Sequence, residues 1–556
     1  MKVETRPPAP QSTAGRRRTA IAGGLAAAVA LATATLVDAV SGPVPSLVAV
    51  VGQAVIRHTP GFLSRGAVDT VGTSDKPLLL AVIVVLTIAI GARVGSAARR
   101  RPRRGDVAFA AFAAFAVVCA ASLDHIPMGA TTVGAALAAV AGALTLRRLL
   151  AVAAEADAAD TAEPVSEPAS AESESGSESE SESESESAVG PTAWPGDRTV
   201  SRRRFLVAGS TAAGGAAVVL AGASGLRGRF GGAAPQASVI LPASVGGPPT
   251  TGAAAAGFRE VEGLSALVTS NKSFYRIDEA LITPSVDVGR WRLQVKGMVD
   301  TPFELSYDDL LALPLVDRHI TLSCVSNQVG GSLVGTAKWT GVRLADLLAR
   351  AGVKPGATQL VGRSVDGFTV GFPVEVATDG RDALVAVGMN GVPLPSAHGF
   401  PARLVVPGLY GYVSATKWLK EIELTTFDAF DPYWVERNWA RNGPVKVQSR
   451  IDVPRGFSRV VAGRGTIAGV AWAPHRGIGR VEVQVDEGPW REASLGPALG
   501  DDAWQQWILE WDAIPGEHLI AVRATTADGE VQTAARHSPF PDGATGYHSV
   551  DIRVSG

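Results

Sequence analysis

Apolar positions fall in long unbroken blocks over residues 1–150 and in short alternating or helical patterns from residue 258 onward. Thr19–Val40 is almost wholly Ala, Leu, Val and Gly, enough to cross a bilayer at about 20 residues. Pro43–Ile56 is shorter and reads as interfacial or re-entrant. Leu78–Val94, Val107–Leu123 and Val133–Leu146 are further spanning candidates. Basic clusters at Arg16–Arg18, Arg99–Arg104 and Arg147-Arg148 flank these runs at alternate ends. Placing the clusters in the cytoplasm predicts four crossings with both ends inside, a four-helix transmembrane region over 1–150. The competing reading, buried helices of a soluble domain, leaves that alternation unexplained.

From 151 to 198 the chain is acidic and ends in a Ser-Glu repeat, predicting a self-repelling, disordered linker. Ser201–Leu206 reads SRRRFL and precedes the apolar run Val207–Gly222. This resembles a twin-arginine export signal, and the same residues suit a further transmembrane helix. On either reading residues 199–226 anchor the chain, and everything after about Arg227 emerges outside. A Gly/Ala/Pro-rich tether is expected over 227–257.

Beyond it, 258–442 mixes short strands (Trp291–Val295, Thr358–Val361) with short helices (Tyr307–Leu313, Leu344–Ala351), an α+β pattern. Residues 445–556 alternate more strictly, as in Val481–Val485 with its Asp486-Glu487-Gly488 turn and in His518–Thr525, predicting a β-sandwich.

Charge and cysteine content narrow the chemistry. The net charge is −2, from 51 Lys and Arg against 53 Asp and Glu, which argues against a nucleic-acid surface. Only two cysteines are present, Cys119 and Cys324, with no CxxC pair. Disulfide scaffolds, zinc ribbons, cysteine-ligated clusters and CxxCH haem sites are excluded. His58 and His125 lie near loops of the membrane part, so no haem is expected in this chain and a separate redox partner is. Cys119 lies within an apolar run. Cys324 follows the strand-like His319–Leu322 and precedes a glycine-rich loop and a helix drawn from Val342 to Ala351. That unit suits a thiolate presented to a ligand or metal, or equally a buried thiol acting as a small hydrophobe.

A second stretch bears on that choice. Met389–Leu419 reads MNGVPLPSAHGFPARLVVPGLYGYVSATKWL; SCVSN lies upstream and KWTGVRLADLL follows it. In joint order and spacing these segments resemble the sulfite oxidase family of molybdopterin enzymes, over roughly Phe258–Gly556. The resemblance implies a molybdenum–molybdopterin cofactor, with Cys324 as the metal's protein ligand. It implies that His398 and Arg403 bind the pterin and its phosphate, that Ala415, Thr416 and Lys417 close the phosphate pocket, and that Phe274, Tyr275, Arg276, Ile277, Asp278 and Asp366 line the cofactor. Arg276 and Tyr433 are implied as catalytic groups and Trp339 as a pocket wall. The second module would be immunoglobulin-like and able to form a homodimer.

The departures from the family pattern matter. Sulfite-oxidising members carry an arginine five residues after the cysteine and another in the second module. Here those positions are Val329 and the segment Ala503-Trp504-Gln505-Gln506-Trp507. Losing charged hydrogen bonds worth about 1.5–3 kcal/mol each argues against sulfite as substrate. The expected protein is therefore a multi-pass cell-membrane oxidoreductase. Its catalytic and C-terminal domains would be extracytoplasmic, transferring oxygen at sulfur or nitrogen of a small molecule. S- or N-oxide reduction, or a non-catalytic receptor on the same shell, are the rival readings.

Overall fold

The computed structural model describes residues 13–41, 46–59, 75–99, 101–123, 126–161, 196–230, 239–245 and 257–556. The chain divides into two compact units, the second of which contains Ala233–Gly556.

The first unit is helical: α1 (Thr13–Ser41), α2 (Leu47–His58), α3 (Asp75–Ala98), α4 (Arg103–Ala121), α5 (Met128–Thr161) and α6 (Gly196–Phe230). Five of these helices are long and apolar enough to cross a membrane, each on a run expected from the sequence; α2 is shorter. Small residues let backbones meet. A Cβ added to Gly23 of α1 would lie 2.1 Å from the Gly91 carbonyl and 2.8 Å from Gly95 of α3. Helix α5 runs on to Thr161, correcting the expectation that a disordered linker begins at 151. The segment Ala151–Thr161 is rich in the best helix former, and its Asp157 pairs with Arg18 at 2.8 Å and Arg99 at 3.2 Å. The Ser-Glu repeat itself lies outside the described residues.

The second unit begins with residues expected as tether. Within 239–245, Val239 and Leu241 pack against the core and Val245 N–H donates to Leu315 O at 2.7 Å. Val239 and Leu241 are enough to dock the segment, while Ile240 between them faces outward at 88% exposure.

Two sheets follow. One runs Phe303–Ser306, Arg292–Gly297, Leu419–Thr425, Gln359–Ser364, Thr369–Pro373, with Arg292–Gly297 parallel to Leu419–Thr425 and the other pairs antiparallel. The other runs Val316–Ser323, Val334–Arg343, Leu384–Met389, Val392–Pro393, and Arg403–Val405 also pairs with Leu384–Met389. The helix Leu344–Ala351 has the expected limits, whereas the Tyr307 helix stops at Leu311. Its start is fixed by Ser306 and Asp309, which cap each other's backbone N–H groups. The helix drawn from Val342 was too long. Val334–Arg343 is instead a ten-residue strand hydrogen-bonded on both sides, so Cys324 lies at the tip of a hairpin. Val334, Thr336, Thr340 and Val342 are β-branched and suit such a strand.

Residues 448–555 form two further sheets, of four and five strands, whose facing residues make one core around Ile467, Trp507, Val481, Ile520 and Val522. The turn after Val485 places Asp486 and Glu487 at φ 51° and 59° before Gly488. This region does not close on itself. Val470, Trp472, Leu499, Ala503 and Trp504 belong to the core of the α+β region. Trp504 N–H donates to Thr321 Oγ1 at 2.7 Å and its indole to Leu267 O at 2.7 Å.

His548 makes this unit's stability pH-dependent. Its Nδ1 accepts from Ile451 N–H at 2.9 Å. Burial, reinforced by the Arg450 guanidinium, pulls its pKa from 6.5 down to about 4. The unfolded chain takes this proton near 6.5 and the folded chain only near 4, so this contribution is complete above pH 6.5 and is lost as pH falls toward 4. In thermal unfolding across that window, His548→Asn is expected to flatten the acid-side loss of Tm relative to wild type.

Candidate functional site

The hairpin tip presents Cys324. Cys324 N–H donates to Leu333 O at 2.9 Å, and Asn327 ties the loop by giving its N–H to Cys324 O at 3.0 Å and accepting from Leu333 N–H at 2.8 Å. From the C-terminal region Arg450 donates to Gly331 O at 2.8 Å in the same loop. Burial pushes the thiol pKa up, opposed by the amide and hydroxyl of Ser326. Those donors suit a thiolate, which a bound cation would stabilise further. Among the described residues no three or more His, Cys, Asp or Glu side chains gather as a metal site.

Cys324 borders a cavity that is also lined by Phe274, Tyr275, Ile277, Asp278, Asp366, His398, Arg403, Ala415 and Lys417. Arg403 is 5% exposed. Its guanidinium donates to backbone carbonyls of Leu404 at 3.4 Å and His398 at 3.2 Å and lies 4.9 Å from the centre of the Trp339 ring. No carboxylate among the described residues pairs with it. Burial lowers its pKa to about 10, so it remains charged at neutral pH. A buried cation without a counter-ion is the environment of an anion site.

His398 is buried as the neutral ring, its pKa lowered by desolvation. Its Nε2 meets Asn271 O at 2.8 Å, and a carbonyl can only accept. Nε2 therefore holds the proton and Nδ1 is an acceptor. Thr416 is fully buried and its Oγ1 has no hydrogen-bond partner among the described residues. Lys417 donates to Asp278 and to Ile277 O at 3.2 Å. Asp278, its side chain 3% exposed, also accepts from Arg276 Nε at 2.5 Å, so one carboxylate holds two cations. Asp366 Oδ1 accepts from Phe368 N–H at 3.1 Å.

Four expected residues do not line the cavity. Arg276 is half-exposed, with its second donor on Thr283 at 2.6 Å. Thr416 lies behind the wall. Tyr433 stands one layer out, donating from its hydroxyl to Glu279 Oε2 at 3.2 Å beneath the Arg437 guanidinium, 3.6 Å from its ring centre. Trp339 is a support rather than a wall: fully buried, it bonds Ile320 O at 3.1 Å and meets Phe274 edge-on at 5.7 Å. The sequence reading missed Glu279, Ser326, Trp434 and Trp439 as lining residues. Glu279 and Ser326 stand beside segments already singled out, and adjacency was the available signal. Gln505 and Gln506 are committed to the framework, donating to Gly496 O and to Ser265 O at 2.7 Å.

The site thus joins one cysteine, a buried arginine and a neutral histidine on an α+β frame, and comparison with known proteins gives its class. The family described as oxidoreductase molybdopterin binding domain matches residues 280–434. The chain is 30% identical over 311 residues to human mitochondrial sulfite oxidase, covering 47% of this chain and 56% of that protein. It is 31% identical over 318 residues to Arabidopsis thaliana sulfite oxidase, covering 47% and 79%. It is 38% identical over 152 residues to the uncharacterized oxidoreductase YuiH of Bacillus subtilis, covering 27% and 73%. The sulfane dehydrogenase SoxCD of Paracoccus pantotrophus aligns at 22% identity and a TM-score of 0.47, over 58% of this chain and 95% of that one. The chain thus belongs to the sulfite oxidase family of molybdopterin-dependent oxidoreductases. It spans 53–56% of the length of the mammalian sulfite oxidases it matches.

The shared carboxylate is open to test. Asp278→Asn leaves the Arg276 and Lys417 charges without it, and removing one partner of a buried pair costs about 3–5 kcal/mol. Denaturant unfolding should show a loss of that size, whereas Arg276→Gln, at a half-exposed position, should cost under about 1 kcal/mol.

Proposed function

We propose that the chain is a membrane-anchored, multi-pass oxidoreductase whose molybdopterin site lies outside the cytoplasm and moves an oxygen atom to or from sulfur or nitrogen. The observation that carries this reading is the Arg403 guanidinium, buried without a carboxylate on the wall that also holds Cys324. Cys324 is the proposed metal ligand. Arg403, Thr416 with its unpartnered hydroxyl, and Lys417 are proposed to hold the cofactor's anionic end, with Ala415 beside them. His398 Nδ1 would accept from an N–H of the pterin edge, while Phe274, Tyr275, Ile277, Asp278 and Asp366 shape the rest of the cradle. The bound group would supply two-electron oxygen-atom chemistry and a soft site for the thiolate.

In the oxidising direction a thioether or amine gains oxygen from water, releasing two protons and two electrons to a separate redox partner. In the reducing direction an S- or N-oxide takes up two electrons and two protons and releases water. Tyr433 is proposed to hold a proton at the edge of the chamber, and its pKa is raised by burial and the nearby Glu279 carboxylate. Reduction is favoured by a specific observation: Arg276, the arginine that the family pattern offers to an oxyanion, is already bonded to Asp278 and Thr283. The five apolar helices support the anchor, and the basic clusters support an orientation with the Ser-Glu repeat inside. The 445–556 region is proposed to be immunoglobulin-like, with a homodimer forming through it.

Metal analysis with a substrate screen tests the reading. The purified chain should carry molybdenum and turn over sulfoxides or N-oxides well ahead of sulfite. Cys324→Ser should lose turnover and change the metal's spectrum. Arg403→Met, removing a charged hydrogen bond worth about 1.5–3 kcal/mol, should weaken cofactor retention about 10- to 100-fold. A metal-free native protein would favour the receptor reading. Phosphatase fusions test the orientation: a fusion after Gly556 should be active, and one within 162–195 inactive.

A further inference from the structure

The loop that carries Cys324 is held from two sides, and what holds it bears on the metal site, an inference that rests on the reading above of Cys324 as the metal ligand. From inside, Asn327 spans the loop's two ends, with its N–H on Cys324 O and its side-chain oxygen on Leu333 N–H. From outside, the C-terminal region supplies Arg450. Its guanidinium commits each nitrogen to a different residue: Nη1 to Gly331 O at 2.8 Å, Nη2 to Ser265 Oγ at 2.8 Å and Nε to Asp452 Oδ1 at 2.7 Å. Asp452 in turn accepts from Ser265 N–H at 3.0 Å. The Arg450 and Asp452 side chains are only 10% and 9% exposed.

The glycines of the loop are matched to this contact. Gly330 stands at φ 76°, and a Cβ added there would lie 2.2 Å from the His548 ring. A Cβ on Gly331 would lie 2.6 Å from Asn327 Oδ1. Two bare backbone units thus admit His548 on one side and Asn327 on the other. His548 is itself fixed by accepting from the N–H of Ile451, the residue after Arg450. A planar fork bonded at three points in a largely buried place has little freedom left, and a lysine's single flexible donor would not reproduce it in full. The carbonyl that the fork holds belongs to the same loop that Asn327 closes.

We propose that Arg450 is a positioning residue for Cys324: by fixing Gly331 O it sets where the sulfur is presented to the metal. The Asn327 ties keep the loop closed, and the Arg450 tie fixes where the closed loop stands against the C-terminal sheets. Arg450 is not among the residues lining the cavity, so its effect reaches the sulfur through the loop. Loss of such an outer support of a metal ligand costs about 10- to 100-fold in metal affinity or activity.

The test uses the full chain, purified in detergent with its cofactor. Arg450→Met keeps much of the stem's packing and removes all three bonds. The visible absorption band of the sulfur–molybdenum bond should shift, and kcat per bound molybdenum should fall about tenfold with KM within about twofold of wild type. Arg450→Lys, which can still donate to Gly331 O, should return the band toward its wild-type position. Alkylation by iodoacetamide in the same preparations, read peptide by peptide in a mass spectrometer, gives a second measure. Cys324 should react several-fold faster in Arg450→Met, and Cys119 at the wild-type rate. Should Arg450→Met not fold, Ser265→Ala removes one of the three bonds and no charge, and should move both measures in the same direction. A lower Tm with band, kcat per molybdenum and alkylation rate all unchanged makes Arg450 a framework residue only and overturns the proposal. A wild type that carries no molybdenum overturns the metal reading, and the alkylation comparison then decides by itself whether Arg450 positions the sulfur.

Discussion

A guanidinium enclosed by backbone carbonyls and an indole face, with no carboxylate among the described residues to answer it, is costly for a fold to keep. Arg403 is held in that state by neighbours that are themselves fixed: Trp339 by its bond to Ile320 O, His398 by its bond to Asn271 O. The arrangement makes physical sense with an anion in the adjoining cavity. That one uncompensated charge connects the buried hairpin, the His398 turn and the Thr416-Lys417 wall, and the functional reading depends on it.

The cysteine facing that cavity is positioned by both halves of the second unit. Pairing of Val316–Ser323 with Val334–Arg343 brings it to a hairpin tip, and Asn327 closes the loop from inside. Arg450 grips the same loop from the C-terminal region, and its other donors go to Asp452 and Ser265. Trp504 reaches the strand leading into Cys324 through Thr321. The C-terminal sheets therefore brace the hairpin as well as extending the core, and trimming the chain near residue 445 would remove part of the cysteine's support.

Charge pairing around the chamber is set by the fold: Arg276 and Lys417, 141 residues apart, share the Asp278 carboxylate. Gln505 and Gln506 serve as framework hydrogen bonds. Family membership gives the cofactor class, while these pairings are particular to the folded chain.

Much of this protein was legible along the chain. Helices long and apolar enough to cross a bilayer announce themselves by uninterrupted apolar length, so the five long helices fall on the expected runs. The motif spacing from Cys324 through His398 and Arg403 to Lys417 likewise brought together residues that share one cavity. Local pattern could not show which of two local tendencies wins, nor which distant group a side chain meets. Val334–Arg343 became a strand because two other strands supply its hydrogen bonds, and Leu241 docked because Gly388 leaves room beside the core. Asp278 meets Lys417 across 139 residues, and Tyr433 meets Glu279 across 154. Periodicity and propensity are properties of neighbours in sequence, whereas charge pairing depends on three-dimensional distance. The kind of cofactor could therefore be read from the chain, but which charges are paired around the chamber required the folded structure.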